Sequence, residues 1–215
     1  MIGLEVVIAF VVLVLGPIVY FGEKKQRQRF KVLIHFLNAK KAGPFAPIEF
    51  VRNEIVFRLV RIASGGGHSG VGGSFPTLWC YTKATKKLII GNAHSGRYTN
   101  GKFLILPPHK IAIIGSSKFL IGSESMSDVE EICAQLNSNP GLIQKLTVLF
   151  QKEFAHLEIA TEIHLNARSL FARHYVFRFT GLPEEIYEEP ELLVERIEII
   201  NELMLAIGVE FESVL

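Results

Sequence analysis

Hydrophobic residues are distributed unevenly along the chain, and the densest run comes first. Between Ile2 and Phe21 the only charged side chain is Glu5. At about 1.5 Å per residue, a helix of that length matches the roughly 30 Å of hydrocarbon in a bilayer. The pattern predicts a transmembrane helix over residues 1–22. Gly16 and Pro17 fit such a helix better than a soluble one, and Tyr20 falls near the headgroup level, where aromatic rings are favoured. The flanking charges argue against a cleaved signal peptide, because the basic residues follow the apolar run and no small-x-small site comes after it.

Residues 23–47 read as a basic juxtamembrane helix and linker. FKVLIHFL continues the helical pattern from Phe30 to Leu37, and Gly43-Pro44 with Pro47 ends it. The remaining chain, residues 48–215, has the patterning of a soluble α+β domain. Its first half is rich in strands: one or two between Phe50 and Ile62, a hairpin formed by TLWCYTK and KKLIIGN around Ala84-Thr85, then GKFLIL, HKIAIIG and KFLIG. From Ser125 the period becomes helical. Val129, Ile132, Cys133 and Leu136 form one stripe, which Ser127 is expected to cap. Pro140 opens a second helix, expected to run to about Phe154.

Alternation then resumes from Leu157 to Leu165, predicting a half-buried strand, and RHYVFRFTG follows as its neighbour. A last helix starts near Pro190, buries Leu193, Ile197, Ile200, Met204 and Ile207, and stops at Gly208. VEFESV is expected to form a short closing strand. The fold class that results is α+β, with an N-terminal single transmembrane helix, then a β-rich half, then a helix-strand-strand-helix half.

Charge sets the orientation. Lys24, Lys25, Arg27 and Arg29 lie just beyond the apolar run and no basic residue precedes it. That arrangement predicts an outside N-terminus and a cytoplasmic domain, with these four side chains at an anionic membrane surface. The far end is acidic, nearly every charge from Glu184 to Glu212 being a glutamate. It offers a surface for a basic partner or a counterpart to the basic juxtamembrane segment. A net charge of +2 and the absence of a recognition motif exclude nucleic acid as an expected partner.

Candidate chemistry is sparse. SGGGHSGVGGSFP places Gly65, Gly67 and Gly70 in the G-x-G-x-x-G spacing, but no helix follows to hold a pyrophosphate and no Walker Lys-Ser/Thr pair is present. Gly65, Gly66, Gly67 and His68 therefore read as a flexible loop able to cover a ligand or a partner groove, together with His94, Arg97 and Tyr98 in the polar turn HSGRYTNGK. The seven histidines form no HExxH or compact ligand cluster, and Cys80 and Cys133 have no ligand-like spacing. No cofactor and no metal are expected, and both cysteines read as buried thiols. Ser116, Ser117 and the serines from Ser123 to Ser127 lack a nucleophile elbow.

The segments IAIIGSSKFLIGS, QKEF, HLEIATEIHL, HYVFRFTGLP and ELLVERIEIINELM, over roughly residues 110–207, resemble a group of uncharacterised bacterial membrane-anchored proteins. The resemblance implies anchoring and assigns no functional residue. The functions consistent with all of this are a membrane-anchored interaction module for a protein or lipid, a membrane-tethered enzyme with its site under the glycine loop, and an envelope assembly component that forms homo-oligomers.

Overall fold

A computed structural model describes residues 28–40, 47–63, 74–92, 109–112, 118–151, 155–161 and 175–213. The apolar run of residues 1–22 lies outside them. No helix among the described residues is long and apolar enough to cross a membrane.

The segment after Pro47 forms two strands rather than one. Strands β1 (Ile48–Arg52) and β2 (Ile55–Ala63) are joined at Asn53-Glu54, whose φ angles are 50° and 63°. Positive φ at both central residues defines a type I′ turn, whose twist matches that of the flanking strands. The other strands are β3 (Ser74–Thr82), β4 (Leu88–Asn92), β5 (His109–Ala112), β6 (Lys118–Ser123), β7 (His156–Thr161) and β8 (Tyr175–Thr180). Together they form one antiparallel sheet in the order β1-β2-β3-β8-β7-β4-β6-β5. The chain is thus α+β, as its patterning predicts.

This order corrects one expected pairing. TLWCYTK and KKLIIGN do not form a hairpin, because β8 and β7 lie between β3 and β4. Residues 83–87 do not make a tight turn. Lys83 N–H donates to the carbonyl of Glu210 at 2.9 Å and Ala84 N–H to Thr82 Oγ1 at 3.1 Å. Five extended residues reach about 17 Å, enough to cross three strand spacings of about 4.8 Å. The central places go to β7 and β8, which are buried on both faces. Strand β4, whose Leu88, Ile89 and Ile90 are also buried, lies beside β7.

Among the described residues four helices supply the second layer: α1 (residues 28–36), α2 (Met126–Asn137), α3 (Pro140–Leu149) and α4 (Pro190–Ala206), the last preceded by a 3-10 turn at Glu184–Tyr187. Their buried residues, including Leu33, Val129, Leu136, Leu142, Leu146, Ile197 and Ile200, join one core with the inward positions of the sheet. Inward positions pair across the strands, Phe50 with Phe57 on one side and Cys80, Phe177, Ile159 and Leu88 in turn on the other. Phe150, at the end of α3, stacks edge-on to Phe119 and Phe179 with ring centroids 5.7 and 6.0 Å away.

The helix ends follow local chemistry. Ser125, not Ser127, caps α2, its Oγ accepting the Asp128 N–H at 3.2 Å. Asn139 caps α3 by accepting the Leu142 N–H at 3.0 Å, and Pro140 takes the first turn. That helix ends at Leu149, short of the expected Phe154. Helix α4 closes with Gly208 at φ +67° and Val209 N–H donating to the Met204 carbonyl at 2.9 Å.

VEFESV is not a strand either. Phe211 and Ser213 make isolated bridges to Thr82 and Ile55. The paired register of β2 and β3 stops at Arg58 opposite Trp79, and the tail fills the fork beyond it. Its Phe211 ring lies 6.0 Å from Phe57 and 5.4 Å from Phe177.

Candidate functional site

The described helices pack on one face of the sheet, and the polar residues of the strands gather on the other. Register places Glu49, Arg58, Trp79, Arg178, Glu158 and Ile89 side by side across six strands. Cross-strand neighbours on one face are close enough to interact directly. Arg58 Nε donates to Glu49 Oε2 at 2.7 Å, its Nη1 donates to the Tyr81 hydroxyl at 3.1 Å, and its guanidinium lies 5.3 Å from the centre of the Tyr81 ring. The Glu49 hydrogen bond, reinforced by Tyr81, raises the Arg58 pKa against the smaller opposing effect of burial.

At the centre of the row Arg178 Nη2 donates to Glu158 Oε2, with side-chain exposures of only 5% and 3%. An ion pair taken so far out of water persists only where each charge holds the other. Trp79 separates the two pairs, and its indole Nε1 is buried with no hydrogen-bond partner among the described residues. In the next row Thr77, Thr180 and His156 are register neighbours, Thr77 and His156 being buried. The face predicted to be the wet side of a half-buried strand is therefore dry at β7, where Glu158 and Ala160 are both buried. Sequence reading missed this pair. The available signal was one charge inside each of two apolar runs, HLEIAT and YVFRFT.

A cleft of about 400 Å³ opens at the end of the sheet where residues 83–87 cross, between the start of α2 and the C-terminal tail. Its lysines are already engaged. Lys86 Nζ lies 2.5 Å from Asp128 Oδ1, Lys87 Nζ 3.1 Å from Glu124 Oε1, and Lys83 Nζ 3.1 Å from Glu210 Oε2. Lys86, with help from the Ser125 hydroxyl, holds the Asp128 carboxyl below its ordinary range, and Asp128 raises Lys86 in turn. A cleft of paired charges offers no net attraction to a free anion or cation.

The acidic C-terminal segment is engaged in the same manner. Glu184 makes a two-pronged contact with Arg61 at 2.9 and 3.0 Å, Glu188 pairs with Arg29 at 2.8 Å, and Glu198 pairs with Arg52 at 2.9 Å. Glu202 reaches Lys145 at 2.5 Å. Each exposed pair contributes on the order of 0–1 kcal/mol, and together they tie part of the acidic surface to the chain's own basic groups, while Glu185, Glu189, Glu191 and Glu195 remain exposed. Of the four basic residues expected at the membrane surface, Arg29 therefore meets Glu188, while Lys24, Lys25 and Arg27 lie outside the described residues. Helix α1 is fixed to the domain by that pair, by the buried Leu33, and by Phe30, whose ring meets Tyr187 edge-on at 5.0 Å. Burial pushes the Tyr187 hydroxyl up to about 12.

Gly65, Gly66, Gly67, His68, His94, Arg97 and Tyr98 also lie outside the described residues. Register shows only that the flanking strands deliver both segments to one end of the sheet, after Ala63 of β2 and after Asn92 of β4. His35 is exposed on α1 and His156 is buried in the sheet. Among the described residues no group of His, Cys, Asp and Glu could hold a metal ion. Cys80 is buried in the core and Cys133 partly so, and burial raises both thiols, that of Cys80 strongly. No family model, no curated protein and no solved structure matches this chain.

Proposed function

We propose that the chain is a membrane-anchored interaction module, held by residues 1–22 with its α+β domain against the cytoplasmic face, where it binds a protein or lipid. The observation that carries this reading is the position of α1. The described part of the helix starts at residue 28, six residues on from the apolar run that ends at Phe21, and its Leu33 is fully buried in the domain core. A link of that length spans about 25 Å at most. A domain whose core starts that soon after an apolar span has no long tether, so it stays at the membrane surface. An ion-paired cleft and a self-neutralised charge row fit a binding scaffold better than a reaction centre.

Two fractionations test the reading. The full chain is expected to resist alkaline carbonate extraction from membranes, and a chain lacking residues 1–22 is expected to be folded and aqueous. Release of the full chain by carbonate would refute the anchor.

One observation favours a second reading, a ligand site on the face of the sheet opposite the described helices. Arg178, Glu158, His156 and Thr77 form a buried polar group there, and the strands leading to both glycine- and histidine-bearing segments leave from the adjoining end. A ligand held by this group would lose affinity on Thr77→Val without loss of fold. An unchanged ligand profile in that variant would remove the reading.

A further inference from the structure

The inward face of α1 packs on the core, and its outward face is exposed. Phe30, Leu33, Ile34 and Leu37 pack against the core. Val32 and Phe36, one turn apart, are 50% and 46% exposed, and the exposed Lys31 and His35 adjoin them. Residues four apart lie on one side of a helix, so the two apolar side chains form a single outward stripe with basic residues along it. Isolated exposed apolar residues are ordinary. These two sit on the element closest in sequence to the apolar span, with Lys24, Lys25 and Arg27 in the six residues between.

Resting on the anchored reading above, we propose that this outward face of α1 lies in the interfacial layer of the same bilayer that the chain's N-terminal segment spans. Val32 and Phe36 enter the headgroup–acyl boundary and Lys31 reaches the phosphates, the arrangement of an amphipathic helix lying in the membrane plane. Three observations select the bilayer as occupant. The short link limits how far α1 can move from the surface. The charge on and before the helix is complementary to an anionic leaflet. Arg29, which the sequence places among the lipid contacts, instead pairs with Glu188 and fixes which side of α1 faces out. The domain is thereby oriented as well as tethered, with the α1 end of α4 towards the membrane and Leu205, 75% exposed near the other end, pointing away from it.

Depth-dependent quenching tests the proposal on the full chain in phosphatidylcholine–phosphatidylserine vesicles containing brominated lipids. Tryptophan is introduced by Phe36→Trp, with Leu205→Trp as the distal control, and each signal is taken as the difference from the parent, which carries Trp79. Carbonate resistance is measured on the same vesicles. The proposal expects the indole introduced by Phe36→Trp to be quenched roughly threefold more than the one introduced by Leu205→Trp. Equal quenching in a carbonate-resistant chain overturns the docked helix while leaving the anchor standing. A chain extracted by carbonate overturns both. A blue-shifted signal from the Phe36→Trp variant that lipid does not quench, and that shifts red when the chain is diluted into excess lipid, means that a second copy covers the face, and also overturns it. Val32→Trp supplies the same reading if Phe36→Trp does not fold.

Discussion

Removing the charge of Glu158 would expose how much the sheet depends on its buried pair. Glu158→Gln keeps the size of the side chain and removes the carboxylate charge that meets the Arg178 guanidinium, whose side chain is 5% exposed. Removing one partner of a buried pair costs about 3–5 kcal/mol. For a domain of this size each kcal/mol lowers Tm by about 2–4 °C, so a fall of about 10 °C is expected. Replacing both partners, Glu158→Leu with Arg178→Met, should restore most of that loss, because neither charge is then stranded. The assay is thermal and denaturant unfolding of the full chain in detergent, followed by far-UV circular dichroism, with the exposed pair Lys83–Glu210 as comparison. Glu210→Gln should change stability by less than about 1 kcal/mol. A Glu158→Gln midpoint matching that of Glu210→Gln would refute the argument that this pair is dry and mutually dependent.

Other expected outcomes follow from single sites. Gly181→Ala should destabilise strongly, since φ there is +112° and a Cβ would come within 2.7 Å of the Ala155 Cα; a cost below about 1 kcal/mol in the same unfolding assay would contradict the geometry. Ser125→Ala should cost about 1 kcal/mol through the lost α2 cap, and Ser127→Ala much less. Tyr187, raised to about 12, keeps its proton in the folded chain after the unfolded chain has lost it near pH 10. The unfolded state then binds fewer protons, so Tyr187 stabilises the fold fully below about pH 10, and that part is lost between about pH 10 and 12, some 2–3 kcal/mol in all. Tyr187→Phe should remove that part of the alkaline loss in pH-dependent unfolding. Cys133 should react with a thiol reagent before Cys80, which should react only on unfolding; rapid native labelling of Cys80 would contradict its burial.

What the sequence discloses depends on how local the determining physics is. Helix α3 is legible because Asn139, Pro140 and the Leu142–Leu146–Leu149 stripe sit within one short window, and Gly208 marks the end of α4 equally well. Strand neighbours are harder. TLWCYTK and KKLIIGN are adjacent in the chain but separated in space by β7 and β8, strands that come later in the sequence. The β1–β2 turn is hidden because Asn53-Glu54 adopts positive φ without the glycine that advertises such turns. The Glu158–Arg178 pair reads as solvent-facing in the sequence, since period two reports which residues share a face and not whether that face is covered. Of the candidate site, Arg29 alone falls among the described residues, and it is taken by Glu188, a partner far away in sequence.

The most direct test of the anchored reading is the side of the membrane on which the domain lies. Reporters active on only one side, fused after Leu215 in the full chain and in a variant with Lys24, Lys25 and Arg27 neutralised, read it without assumptions about partners. A cytoplasmic C-terminus is expected in the parent, and a mixed or inverted orientation in the variant. An external C-terminus in the parent would contradict the orientation set by the basic flank, and with it the assignment of the domain to the inner surface.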